Sequence, residues 1–271
     1  MFYPLPVRCV LMLMAFVTPV SARGDVVTEV LPYAHEGEVL SAYLASDNDL
    51  GEAKRPAVLV CHAWWGAGDY AQQRARALAE LGYVALVLDM YGDFETTDDP
   101  AVAQSLAEPF YQNRDRFRTL AQAGLDLLLE QPGVDPDRVA VVGYCFGGTT
   151  ALELAYSGAP LVGVVTFHGS LLDPQPAVDD QLADLDLMTA KVLICHGQAD
   201  PLYPIEKLVA LVDALQAGGI DTTTTMYSGA KHAFTDPGAD AVGFDGVAYN
   251  ATADRRSWAA MKDFLEECFG E

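Results

Sequence analysis

Three residues carry side chains that can cooperate in attack on a carbonyl: Cys145, Asp200 and His232. A cysteine is a strong nucleophile only as its thiolate. An imidazole can hold or move the proton, and a carboxylate can orient that ring and stabilise its charged form. Cys145 lies within Gly143-Tyr144-Cys145-Phe146-Gly147-Gly148, the G-x-C-x-G variant of the elbow that presents a nucleophile at a sharp strand-to-helix turn. Such a turn also puts the Phe146 backbone N–H at a helix start, where it can act as an oxyanion-hole donor. The order Cys145, Asp200, His232 is the triad order of the α/β-hydrolases. Taken singly, each residue has a blander reading: an inert buried thiol, a helix cap before Pro201, a loop histidine bonded to backbone. As an ordered set they favour nucleophilic catalysis.

Those residues need a scaffold that brings them together. Arg138-Val139-Ala140-Val141-Val142, ahead of the elbow, reads as a buried parallel strand, and Thr149–Ala155, after it, as a helix. Val26–Val30 and Val39–Leu44 form an antiparallel start. Further strands are predicted at Ala57–Cys61, Val84–Leu88, Gly163–Phe167, Val192–Cys195 and Thr223–Tyr227. Helices are predicted at Tyr70–Leu81, twice between Pro100 and Glu130, at Pro204–Gln216, and from about Thr252 to Phe269. The last has Trp258, Met261, Leu265 and Cys268 at core-facing spacing. Strand-helix alternation predicts an α/β-hydrolase fold: a mostly parallel twisted sheet with helices on both faces, in a single domain over 23–271. From Glu95 to Arg118 the pattern suits an exposed helical cap as well as an ordinary connection.

In open sheets of this kind ligands bind beyond the carboxyl ends of the strands. Those ends carry His62-Ala63-Trp64-Trp65-Gly66, Asp89-Met90-Tyr91-Gly92, Cys145, His196 to Pro201, and Ser228 to Phe234. His62 and His196, at strand ends, read as satisfied structural histidines. No spacing of His, Cys and Asp resembles a zinc motif, and neither metal nor cofactor is expected.

The first 22 residues read as a secretory signal. Arg8 precedes an apolar run from Cys9 to Val17, and Val20-Ser21-Ala22 offers a cleavage site. The expected destination is periplasmic or extracellular. Losing Arg8 would take the net charge from −22 to −23. So acidic a chain is expected to avoid nucleic acid and anionic membrane surfaces. Its surface fits solubility or adaptation to high salt. Cys61, Cys145, Cys195 and Cys268 would remain after cleavage; Cys61 and Cys195 sit in strand patterns as small buried hydrophobes, so a disulfide framework is not expected.

The chain after the signal resembles the dienelactone hydrolase family. The likeness rests on the elbow, the His-x-Trp-Trp-Gly loop at 62–66, Asp89-Met90-Tyr91, the Asp200 loop and His232-Ala233-Phe234. Tyr249-Asn250 and Asp254-Arg255-Arg256-Ser257-Trp258 resemble a subset of that family. The resemblance implies hydrolysis of a small-molecule carboxylic ester or lactone through a thioester on Cys145, by a monomer or small homo-oligomer. It adds the Trp64 backbone N–H as second oxyanion donor, with Trp65, Tyr91, Tyr144 and Phe234 as pocket residues. The chain departs from the family where a glutamate that pairs with the resting thiol is replaced by Ala63. It departs again where two carboxylate-binding arginines fall near Asp93 and at Asp236. Acids there would repel an anion, so a neutral ester or lactone is expected in place of dienelactone. Without the glutamate, Cys145 is expected to pair with His232 at rest. The alternatives are an exported binding protein on a hydrolase fold, and an acyltransferase or thioesterase using the same triad.

Overall fold

The computed structural model describes residues 25–49, 53–176 and 183–270; the segment read as a signal lies outside them. The β-branched and apolar runs form eight strands: β1 (Val26–His35), β2 (Glu38–Asp47), β3 (Arg55–Cys61), β4 (Val84–Leu88), β5 (Val134–Tyr144), β6 (Gly163–Phe167), β7 (Lys191–Gly197) and β8 (Thr222–Tyr227). The helices are α1 (Asp69–Glu80), α2 (Pro100–Gln112), α3 (Arg114–Leu129), α4 (Phe146–Tyr156), α5 (Asp184–Leu187), α6 (Ile205–Ala217) and α7 (Ala251–Phe269). The sheet order is β1-β2-β4-β3-β5-β6-β7-β8. β2 runs antiparallel to β1 and β4, and every other pair is parallel. This is the expected α/β-hydrolase architecture.

The central strands β3, β4, β6 and β7 and the second half of β5 are hydrophobic and buried because both faces of the sheet are covered there, whereas the edge strands β1 and β8 are largely exposed. Leu59, Leu86 and Val141 face a core closed by α2, α3, α4 and α6, where Phe110, Phe117, Leu152 and Leu211 are buried. Their neighbours Val58, Ala85 and Val142 face the opposite core under α1 and α7, with Leu78, Met261 and Leu265. Trp258 and Cys268 pack, partly buried, against that second core.

Two differences from the sequence reading have physical causes. β1 and β2 each run to ten residues, longer than expected; the added end of β1 holds Pro32, which reads as a break in sequence but is tolerated on an edge strand. α5 and a 3₁₀ turn at Ala239–Val242 were not anticipated; four residues each are too short to show a periodicity.

Register aligns the site. Cys61 of β3 lies beside Gly143 of β5, Tyr144 beside Phe167, Phe167 beside Cys195, and Gly197 beside Tyr227. The carboxyl ends are flush, so the loops carrying Cys145, Asp200 and His232 leave from one edge.

Candidate active site

At the elbow, Cys145 caps α4 with φ 54° and ψ −115°. A left-handed backbone at a non-glycine residue typically costs about 1–3 kcal/mol, so it persists only where its surroundings hold it. The Cys145 N–H donates to the Phe167 carbonyl at 3.0 Å, and its own carbonyl accepts from Gly148 at 2.9 Å and Ser170 at 3.2 Å. A Cβ at Gly143 would collide with the Gly147 carbonyl, and one at Gly147 with the Cys61 carbonyl. The flanking glycines thus let α4 close onto β3 and β5.

The structure brings the three candidate residues into one chain of contacts. His232 Nε2 lies 3.0 Å from Cys145 Sγ, and His232 Nδ1 lies 2.8 Å from Asp200 Oδ2. The other oxygen of Asp200 accepts from the backbone N–H groups of Leu202 and Tyr203 at 2.9 and 3.2 Å. His232 is fixed through its backbone: its N–H donates to Gly246 at 2.9 Å and its carbonyl accepts from Ala248 at 3.1 Å. Burial opposes ionisation of the Cys145 thiol, but the facing His232 and the backbone N–H groups of Phe146 and Trp64 outweigh it, so its pKa falls below the ordinary range. Burial likewise opposes a charged His232, yet Cys145 and Asp200 together push it up to about 10. Both shifts favour a thiolate facing an imidazolium.

The loop bearing Trp64 is pinned on several sides. The Met90 N–H donates to His62 Nε2 at 3.1 Å, which leaves the ring's proton on Nδ1, facing the Ala63 carbonyl at 2.7 Å. Burial lowers the His62 pKa and keeps that ring neutral. The Tyr91 hydroxyl donates to the Trp64 carbonyl at 3.1 Å. Tyr91 is itself set by Asp89, whose carboxylate accepts from the N–H groups of Tyr91, Gly92 and Phe94 at 3.0, 3.0 and 2.9 Å. Asp89-Met90-Tyr91 therefore acts on the site through the Trp64 loop.

Cys145 and His232 open onto a cavity of about 500 Å³ whose wall includes Ala63, Trp64, Trp65 and Asp236. Of the remaining residues expected to line it, three do not. Tyr91 stands behind Trp64, packed on His62 and Phe146. Tyr144 is in the core, stacked on Phe167 at 4.8 Å, because adjacent residues at a strand end point to opposite sides. Phe234 is fully buried against Tyr227 and His168. Asp93 is exposed and off the cavity wall. The wall gains Tyr70 from α1, Tyr111 from α2, Leu202, Tyr203, Phe244 and Val247, which sequence reasoning missed. Tyr111 sits on the doubtful Glu95 to Arg118 stretch, which buries Ala103, Ala107 and Phe110 in the core and so is a packed connection that supplies one wall residue.

His168 was also missed, although it follows β6 at the same sheet edge and so satisfied the rule that found the others. It lies on the cavity wall with its ring 5.2 Å from that of His232. Its Nε2 meets the Thr235 hydroxyl at 2.7 Å, which in turn meets the Tyr70 hydroxyl at 2.6 Å. Burial, then the neighbouring His232 charge, pushes its pKa well down, so this second imidazole is neutral. His196 is buried too, with Nδ1 unpartnered, short of the full satisfaction expected. Among the described residues Cys61, Cys145, Cys195 and Cys268 form no disulfide, and burial raises Cys195 to about 12.

The sequence model of the dienelactone hydrolase family matches residues 40–269. The solved structure named m3DLH is 41% identical, spans 91% of this chain and all of its own, and superposes with a TM-score of 0.85. A dienelactone hydrolase-like promiscuous phosphotriesterase, P91, from metagenomic libraries is 39% identical over the same shares, with a TM-score of 0.84. A Bradyrhizobium sp. protein named "Probable 2-oxo-3-(5-oxofuran-2-ylidene)propanoate lactonase" is 30% identical over 82% of this chain and 87% of its own.

Proposed function

The chain belongs to the dienelactone hydrolase family, and from that premise we propose that it hydrolyses a carboxylic ester or lactone lacking negative charge, through Cys145, His232 and Asp200. The Cys145 thiolate attacks the carbonyl carbon, and the carbonyl π electrons move to oxygen. That oxyanion is met by the Phe146 and Trp64 N–H groups already directed at Sγ, each worth roughly 3 kcal/mol of barrier. Collapse expels the alkoxide, which takes the proton of the His232 imidazolium and leaves a thioester. The now neutral His232 accepts a proton from water as the water oxygen attacks the thioester, and the second collapse returns the thiolate. Asp200 stabilises the ring each time it is charged.

One observation carries this reading: the 3.0 Å contact of Cys145 Sγ with His232 Nε2 in a chain of bonds that ends on Asp200. The choice of substrate is supported by the cavity wall, which bears Asp236 and no lysine or arginine to hold an anion. The test is a burst experiment with p-nitrophenyl acetate under reducing conditions. Wild type should show turnover, and Cys145→Ala should lose at least about 10⁴-fold of it. Turnover that survives in the variant would remove Cys145 from the mechanism. A second reading, cleavage of a phosphotriester by the same thiolate, is favoured by the likeness to P91; paraoxon in the same assay addresses it.

A further inference from the structure

We propose, resting on the hydrolase reading, that Asp236 makes the cleft selective for substrates with an ammonium-type positive charge away from the reacting carbonyl. Asp236 stands on a wall shared by the cavity at Cys145 and an adjoining groove of about 790 Å³. The groove adds Asp69 and Asp98, and neither space is lined by a lysine or an arginine. Cys145, His232 and Asp200 together leave one negative charge on the triad, but Asp200 lies buried behind His232 and off the wall, so Asp236 is the carboxylate that the inner cleft itself presents. Asp245, at the rim, is exposed and pairs with Lys231 at 3.3 Å, so it adds little.

The cation nearest in effect to Asp236 is Arg74, and it is engaged elsewhere. Its guanidinium donates to Asp254 at 2.7 Å and to the Thr235 carbonyl at 2.6 Å. One positive charge therefore serves two carboxylates, and Asp236 makes no ion pair among the described residues. Its side chain accepts one backbone hydrogen bond, from Gly238 at 2.8 Å. Burial raises its pKa despite Arg74: this carboxylate is short of solvation and gains from an incoming cation. The cavity that Asp236 borders is also lined by the aromatic side chains of Trp64, Trp65, Tyr203 and Phe244. A carboxylate among aromatic rings suits an alkylammonium group, attracted by the negative faces of the rings and by the acid. The chain's net charge of −22 draws the same ligands toward it.

Acetylcholine and its uncharged isostere 3,3-dimethylbutyl acetate separate charge from shape. Acetate release by the full chain under reducing conditions should give a kcat/KM about tenfold higher for the cation at low ionic strength. The ratio should fall toward one in Asp236→Asn, which keeps an acceptor for Gly238, and at about 0.5 M salt. Recognition without turnover is read by protection of Cys145 from iodoacetamide. Choline should protect wild type at about a tenth of the concentration needed with 3,3-dimethylbutan-1-ol, and lose that advantage in Asp236→Asn. Equal protection of wild type by the two alcohols overturns the proposal whatever becomes of the variant, and so does a choline advantage that survives Asp236→Asn. No acetate from either ester, with choline-selective protection intact, would remove the hydrolase reading and keep the cation site. Equal turnover of both esters would do the reverse.

Discussion

Helix α4 carries two acids, half-buried Cys145 at its cap and buried Glu153 two turns on, and they are treated in opposite ways. Glu153 is fully buried and held by Arg114 and Arg118 of α3, the latter at 2.9 Å; Arg118 continues to Asp184 of α5 at 2.9 Å. Asp184 also accepts the Gln175 N–H at 2.7 Å. Every member of this cluster has several partners, and it borders no part of the cavity at Cys145. Cys145 has a single side-chain partner and opens onto that cavity. Even so, burial leaves the Glu153 pKa raised despite two guanidinium groups, whereas that of Cys145 is lowered. The difference fits the part proposed for each cluster. Redundant, permanently charged partners lock three helices together. One titratable partner leaves a charge able to form and break a bond.

The sharpest way to break that comparison is to remove the titratable partner. His232→Gln should lower ester turnover by about 10³-fold. In wild type the reactive ion pair exists above the depressed Cys145 pKa and persists until His232 loses its proton near pH 10. Thiol alkylation should therefore begin below the ordinary cysteine range. In the variant burial acts unopposed by the imidazolium, and the alkylation midpoint should move above that range. An unchanged midpoint would show that the backbone N–H groups alone hold the thiolate.

The second test acts on the other acid. Glu153→Ala leaves two guanidinium groups without their shared carboxylate and should cost about 3 kcal/mol of unfolding free energy in a denaturant titration. kcat for the molecules that remain folded should stay within about twofold. A large loss of kcat at unchanged stability would mean the two ends of α4 are not independent. The mildest change is Tyr91→Phe, which frees the Trp64 carbonyl from its 3.1 Å hydrogen bond. About 1 kcal/mol of positioning is at stake, so kcat should fall about fivefold with KM little altered. An effect on KM alone would place Tyr91 against the substrate.

The same contrast separates what was legible in the sequence from what was not. The elbow, the Asp200 loop and the His232 loop are local turns at strand ends, and local chemistry announces them: glycines where a Cβ collides, an aspartate capping a turn. The sheet was readable for a similar reason, since β3 to β7 have continuous apolar runs. Tyr70, Tyr111, Tyr203 and Phe244 reach the wall by tertiary packing of α1, α2 and two loops, and no spacing links them. Tyr144 and Phe234 adjoin Cys145 and His232 in sequence, yet the backbone turns both rings into the core, away from the pocket that the family resemblance implied for them. His168 was within reach of the strand-end rule and was passed over. The Arg114, Arg118, Glu153 and Asp184 cluster joins three separate helices, so no spacing in the sequence links its members.

The left-handed backbone at Cys145 has a consequence for how such a protein changes over generations. Glycine adopts that conformation without penalty, so glycine at 145 would relax the elbow and remove the sulfur together. Directed evolution screened on heat resistance alone would favour that exchange and deliver a sturdier, inert scaffold. The strained position survives in a lineage only while turnover itself is under selection, which makes every library built on this chain one that must be screened for catalysis from its first round.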